Sequence, residues 1–130
     1  GRLLADFHRR GKTTALVCHG PIALLSTLPA TPGFVAALAD DRSPATPSGW
    51  IYAGYRLTVI SNQEEELAKG ALQGGRMKFY PQTALEAAGA RHVSNTTPWT
   101  ANVVIDRELI TGQNPASAVA VANAVLERLR

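Results

Sequence analysis

Thr14-Ala15-Leu16-Val17-Cys18-His19-Gly20-Pro21 is the stretch on which the reading of this chain turns. Thr13 to Val17 is short, apolar and β-branched, with no polar alternation, which suits a strand covered on both faces. Pro21 sits where a first helical turn accepts proline, and Ile22 to Leu28 reads as a helix. A buried strand running straight into a helix lifts the junction residue to the C-terminal edge of the sheet. That residue is Cys18, the single cysteine of the chain. The first amides of the helix are expected to point at it, where the positive helix end lowers a thiol pKa and can stabilise an oxyanion. Gly20 is expected to let another backbone approach, and His19 is a base within reach. The residues alone leave Cys18 open between a packed small hydrophobe and a nucleophile.

Upstream, Leu3, Leu4, Phe7 and Arg9-Arg10-Gly11 read as the end of an amphipathic helix with Gly11 at its C-cap. A chain opening in the last turns of a helix is expected to have lost an upstream part. Downstream, Pro29, Pro32, Pro44 and Pro47 punctuate a segment, 29–54, expected as a surface excursion in a lid or interface, with a short helix over 33–39. Tyr55 to Ile60 reads as a second strand. Ser61-Asn62 then opens a helix carrying Glu64-Glu65-Glu66, with Asn62 and Glu65 in capping-box spacing. Pro81 to Ala88 is a helix closed by Gly89, and Ala90 to Val93 is extended. Val103 to Ile105 and Leu109 to Thr111 flank a tight reversal at Asp106-Arg107-Glu108. A last helix follows Asn114-Pro115, with Ala118, Val121, Ala122, Val125 and Leu129 on one face. Strands alternating with helices mean α/β, although a complete doubly wound sheet ordinarily has more strands than these.

The chain has 130 residues, 45% of them hydrophobic and 18% charged, the balance of one soluble globular domain. No apolar run is long enough to cross a membrane, and the start lacks the pattern of a signal peptide. The net charge of +3 is spread out, with one basic cluster at His8-Arg9-Arg10 and Lys12, too sparse for a nucleic-acid face. One cysteine excludes an internal disulfide and a multi-cysteine zinc site, and fits a reducing cytoplasm. His8 and His92 lack metal-ligand spacing and read as surface histidines. No metal is expected.

Val17-Cys18-His19-Gly20-Pro21 closely resembles the nucleophile elbow of the ThiJ/PfpI superfamily, in the branch of heat-shock-type chaperones and glutathione-independent glyoxalases. Two further blocks resemble the same branch in family order. Leu57 to Glu65 is similar to the strand and turn supplying its acid, and Trp99, Val103 to Asp106 and Leu109 to Ser117 are similar to its C-terminal signature. The resemblance implies a flavodoxin-like three-layer α/β/α sandwich with a mostly parallel sheet, here a single partial domain over 1–130 that corresponds to the C-terminal half and lacks the N-terminal strands. It implies Cys18 as nucleophile, His19 as its base and Glu65, counted from Ile60, as the acid orienting the imidazole. Glu64 and Glu66 read as a solvated helix face, and Asn62 as a cap. Trp99 is a pocket candidate or a packing residue. Gly112-Gln113-Asn114-Pro115 is motif-like, or simply a tight turn opening a helix.

The function implied is cysteine-dependent, cofactor-free conversion of small reactive aldehydes, such as methylglyoxal to lactate, by a cytoplasmic homodimer without nucleic-acid or membrane partners. Two alternatives stand beside it. One is a stress chaperone or cysteine oxidation sensor without turnover, whose exposed apolar surface would be sought in the Pro-rich segment. The other is a peptidase or amidohydrolase, although the distant His-x-Glu pair of glutamine amidotransferases is not found.

Overall fold

In the computed structural model, which describes residues 1–130, two short sheets share one core. Strand β1 (Thr14–Val17) pairs in parallel with β5 (Leu109–Gly112), and β5 pairs antiparallel with β4 (Val103–Asp106). In register, Thr14 faces Leu109 and Val17 faces Gly112. Strands β2 (Arg56–Leu57) and β3 (Arg91–His92) form a separate parallel pair. Five α-helices complete the chain: α1 (Arg2–Arg9), α2 (Thr31–Ala39), α3 (Asn62–Ala71), α4 (Pro81–Ala88) and α5 (Ala118–Leu129). The α/β expectation holds. The reversal between β4 and β5 is a hairpin with Arg107 at φ 56°, and Gly89 closes α4 at φ 110°, a conformation open to glycine without steric cost.

Two expectations change and a third is qualified. The helix after Cys18 is a 3-10 helix, Gly20–Thr27, rather than α. Trp50 Nε1 donates to Leu24 O at 3.2 Å and to Thr27 Oγ1 at 3.0 Å, occupying a carbonyl that an α-helical ladder would use. The strand expected over Tyr55–Ile60 is a ladder only at Arg56–Leu57. Beyond it the chain stays buried but bonds elsewhere: Thr58 N donates to Thr111 Oγ1 at 2.9 Å and Ile60 N to Cys18 O at 3.1 Å. The 29–54 excursion is largely exposed, as expected, but is anchored at its two ends, where Phe34, Leu38, Trp50 and Tyr52 join the core with Leu24, Leu25, Leu57, Val59 and Leu85. Each such side chain is worth about 1.5–3 kcal/mol when buried, enough to hold a loop down.

The apolar face expected on α5 is mostly open. Val121 is buried and Val125 half-buried, but Ala118, Ala122 and Leu129 are exposed. Within the three-stranded sheet α5 packs on β1 and β5. The large exposed apolar side chains lie on α1, α3 and α5 (Leu3, Leu67, Val119, Leu126, Leu129), near the α3 terminus (Leu72), on β4 (Ile105) and at Trp99, with none in the Pro-rich segment. No helix is long and apolar enough to cross a membrane.

Candidate active site

Cys18 stands at the C-terminal end of β1 with φ 60°, a left-handed conformation that costs a non-glycine residue about 1–3 kcal/mol. Its backbone is held on both sides. Cys18 N donates to Gly112 O at 2.9 Å, extending the β1–β5 pairing by one residue, and Cys18 O accepts from Ile60 N at 3.1 Å. These two bonds over-determine the turn and present the half-buried thiol beside His19.

The two side chains meet directly, with Cys18 Sγ 3.4 Å from His19 Nδ1. The other ring nitrogen, Nε2, is hydrogen-bonded to Glu65 Oε1. An ionised carboxylate only accepts, so Nε2 is the donor of this pair, and in a neutral ring that leaves the Nδ1 lone pair toward the thiol. Glu65 is 3% exposed while the His19 side chain is 49% exposed, so a buried anchor steers a ring open to solvent. Cys18, His19 and Glu65 thus come together as the sequence expected.

The electrostatics differ from expectation. Burial pushes the Cys18 thiol up, the His19 backbone N–H pulls it down, and the charges of Glu65 and Glu64 push it up again. The helix end does not lower this thiol on balance, because burial and two nearby carboxylates outweigh the donors. The thiol therefore holds its proton more firmly than a free cysteine does.

Gly20 does not serve a close approach: a Cβ there would meet only the Leu16 side chain, at 3.6 Å. Trp99 adopts φ 60° and is 42% exposed. The three cavities of the molecule lie beside α4 and the 41–44 turn, at the N-terminus, and in the Pro-rich segment. Trp99, Cys18, His19 and Glu65 line none of them.

Glu64 is not on a solvated face. It is fully buried and serves as the N3 member of a capping box whose cap is Ser61, not Asn62. Asn62 is the first helical residue and donates from Nδ2 to Thr83 Oγ1. The sequence held both spacings, Ser61 to Glu64 and Asn62 to Glu65. Gln113 and Asn114, also fully buried, donate to Glu64 rather than merely shaping a turn. Nor are the other histidines superficial. The His92 side chain is 4% exposed and held below its ordinary pKa by burial, while His8 Nδ1 lies 2.8 Å from Glu108 Oε1. No three His, Cys, Asp or Glu side chains converge as a metal ion would require.

No protein-family model matches the chain. A Bos taurus protein named "Glutamine amidotransferase-like class 1 domain-containing protein 1" is 31% identical over 125 residues, covering 96% of this chain and 48% of that one. The Schizosaccharomyces pombe protein named "Probable glutathione-independent glyoxalase hsp3103" is 29% identical over 130 residues, covering 98% of this chain and 44% of that one. The chain belongs to the ThiJ/PfpI superfamily. Among solved structures, the Rapid Encystment Protein 24 KDa (REP24) of Francisella tularensis matches with a TM-score of 0.72 and 25% identity over 98% of this chain and 48% of its own. Glyoxalase III of Candida albicans matches in fold, with a TM-score of 0.61 and 24% identity over 92% of this chain and 44% of its own. This ThiJ/PfpI chain therefore spans about half the length of the relatives it matches.

Proposed function

We propose that Cys18, His19 and Glu65 form the reacting unit of a cofactor-free enzyme that converts small 2-oxoaldehydes into 2-hydroxy acids. The chain of contacts from thiol to imidazole to buried carboxylate carries this reading, and the glyoxalase name of the S. pombe relative supports the substrate class. The thiol adds across the aldehyde C=O as His19 Nδ1 takes the sulfur proton, giving a hemithioacetal. The same nitrogen, having returned that proton to the new alkoxide, removes the carbon-bound proton and redelivers it to the neighbouring carbon, while the hydroxyl proton passes from the first oxygen to the neighbouring one. One carbon is oxidised and its neighbour reduced, leaving a thioester with no external electron acceptor. Water then cleaves the thioester and restores the thiol. Glu65 keeps Nε2 protonated, so Nδ1 is the nitrogen that takes up and gives back each proton.

A raised thiol pKa counts against an oxidation sensor, and in the enzymatic reading it requires His19 to take the sulfur proton during attack. The test is lactate formation from methylglyoxal by the chain and by Cys18→Ala, with mass analysis of Cys18 for the trapped adduct. Lactate and adduct from the parent alone are the expected result. A parent that forms neither would overturn the proposal.

A further inference from the structure

We infer that Glu64 is a positioning residue of this site, fixing Glu65 and through it the His19 ring. The inference rests on the reading of Cys18, His19 and Glu65 as the reacting unit. A capping box asks one thing of its carboxylate, an oxygen for the cap N–H, and leaves the other oxygen to water. Here both oxygens are saturated inside the protein. Oε2 accepts from Ser61 N at 2.9 Å, Ser61 Oγ at 3.1 Å and Gln113 Nε2 at 3.1 Å. Oε1 accepts from Trp99 N at 2.8 Å and Asn114 Nδ2 at 2.8 Å. An ionised carboxylate offers about four lone-pair positions, so these donors leave no room for a proton.

The donors come from three separate places: the entry to α3, the turn at Trp99, and the segment leaving β5. Glu64 therefore ties the first turn of α3 to the end of the strand that also holds the Cys18 elbow through Gly112 O. Glu65 is the next residue on that turn, and its carboxylate must cross to a ring attached to the elbow. Fixing both against β5 fixes the gap that the Glu65 to His19 hydrogen bond closes. Neutralising Glu64 breaks the arrangement whichever way an amide is turned, because its NH2 would face at least two of the same donors.

The experiment is a double-mutant cycle on the intact chain, reading the pH profile of Cys18 alkylation by iodoacetamide for the parent, Glu64→Gln, Glu65→Gln and the double variant, with urea unfolding of each. The charged and titratable groups bearing on Cys18 are His19, Glu65 and Glu64. Glu65→Gln is expected to move the alkylation midpoint to lower pH. Glu64→Gln is expected to move it at least half as far, and the double variant no further than Glu65→Gln alone. Shifts that simply add would show two independent charges and overturn the inference, as would a Glu64→Gln chain that is less stable with an unmoved profile. Should Glu64→Gln not fold, Asn114→Ala removes one donor and no charge. It must shift the midpoint in the same direction, and an unmoved profile there overturns the inference as well. If Glu65→Gln itself leaves the profile unchanged, the reacting unit fails, a result distinct from failure of Glu64 alone.

Discussion

A Cβ on Gly112 would lie 2.7 Å from Val121 Cγ2 and 2.9 Å from Ser117 Cβ, so the absence of a side chain on β5 sets how closely α5 crosses it. Gly112→Ala must push α5 away or strain it. We expect a loss of about 1–3 kcal/mol, the usual range for overpacking a tight contact, measured by urea unfolding. Gly20→Ala, which meets only ordinary contact with Leu16, should stay within about 0.5 kcal/mol of the parent.

Glu65→Gln replaces the charged acceptor of the imidazole with a neutral amide that can turn either its oxygen or its NH2 to Nε2, so the tautomer is no longer fixed. Turnover of methylglyoxal should fall about 100-fold or more, the low end of what positioned acid–base groups supply. His19→Ala should be at least as damaging, and combining the two should cost little more than the worse single change. A Glu65→Gln chain with undiminished kcat would remove the carboxylate from the mechanism.

Iodoacetamide should modify Cys18 more slowly at neutral pH in the folded chain than in urea, since burial and the Glu65 and Glu64 charges hold the thiol above its ordinary value of 9.0. The folded state disfavours the thiolate, so this group contributes stability below the unfolded value and loses it as pH rises through the folded one. Faster modification of the native chain than of the unfolded one would contradict this account.

Burial alone would raise Glu64, but hydrogen bonds from Ser61, Trp99, Asn114 and Gln113 hold it below its ordinary 4.5. Its contribution to stability is complete well above pH 4.5 and is lost as pH falls through the lowered folded value. His92, held below 6.5 by burial, adds an earlier loss that begins as pH drops past 6.5. Unfolding free energy measured against pH should therefore decline in two stages. Glu64→Gln should flatten the lower stage and leave the upper.

Tyr55 Oη donates to both oxygens of Glu108, at 3.1 and 3.0 Å, and His8 closes the group from α1. Burial and the Glu108 contact push Tyr55 up to about 12, and burial with the Glu108 charge does the same for Tyr52. Ultraviolet titration should find both ionising near 12, and Glu108→Gln should lower both while loosening α1. An unchanged titration in that variant would show burial alone to be responsible.

The parts legible in the sequence were those fixed by local chemistry. Pro81 and Gly89 bracket α4, the Asp106–Glu108 reversal joins two apolar runs, and β1 runs into the Cys18 turn, although Ala15 is exposed and Leu16 and Val17 are half-buried where a strand covered on both faces was expected. Glu65 was legible by resemblance to a family pattern. Glu64 was not, since Ser61 and Asn62 each stand three residues before a glutamate. What chooses between them is burial against Gln113 and Asn114, 49 and 50 residues further on. The same holds for Ile60, whose amide turns from a strand partner to Cys18 O, and for His92, whose cover comes from tertiary packing.

His19 and Glu65 are 46 residues apart in the chain, with α2 and the Trp50–Tyr55 aromatic group between them. Closing a loop of that length carries an entropic penalty that only the packing of the intervening segment can offset. The imidazole therefore has its anchor only while that segment is packed, whereas Cys18 and His19 are neighbours in the chain. A newly synthesised or partly opened molecule would display the nucleophile beside an untethered base, so recovery of the tether reports complete folding.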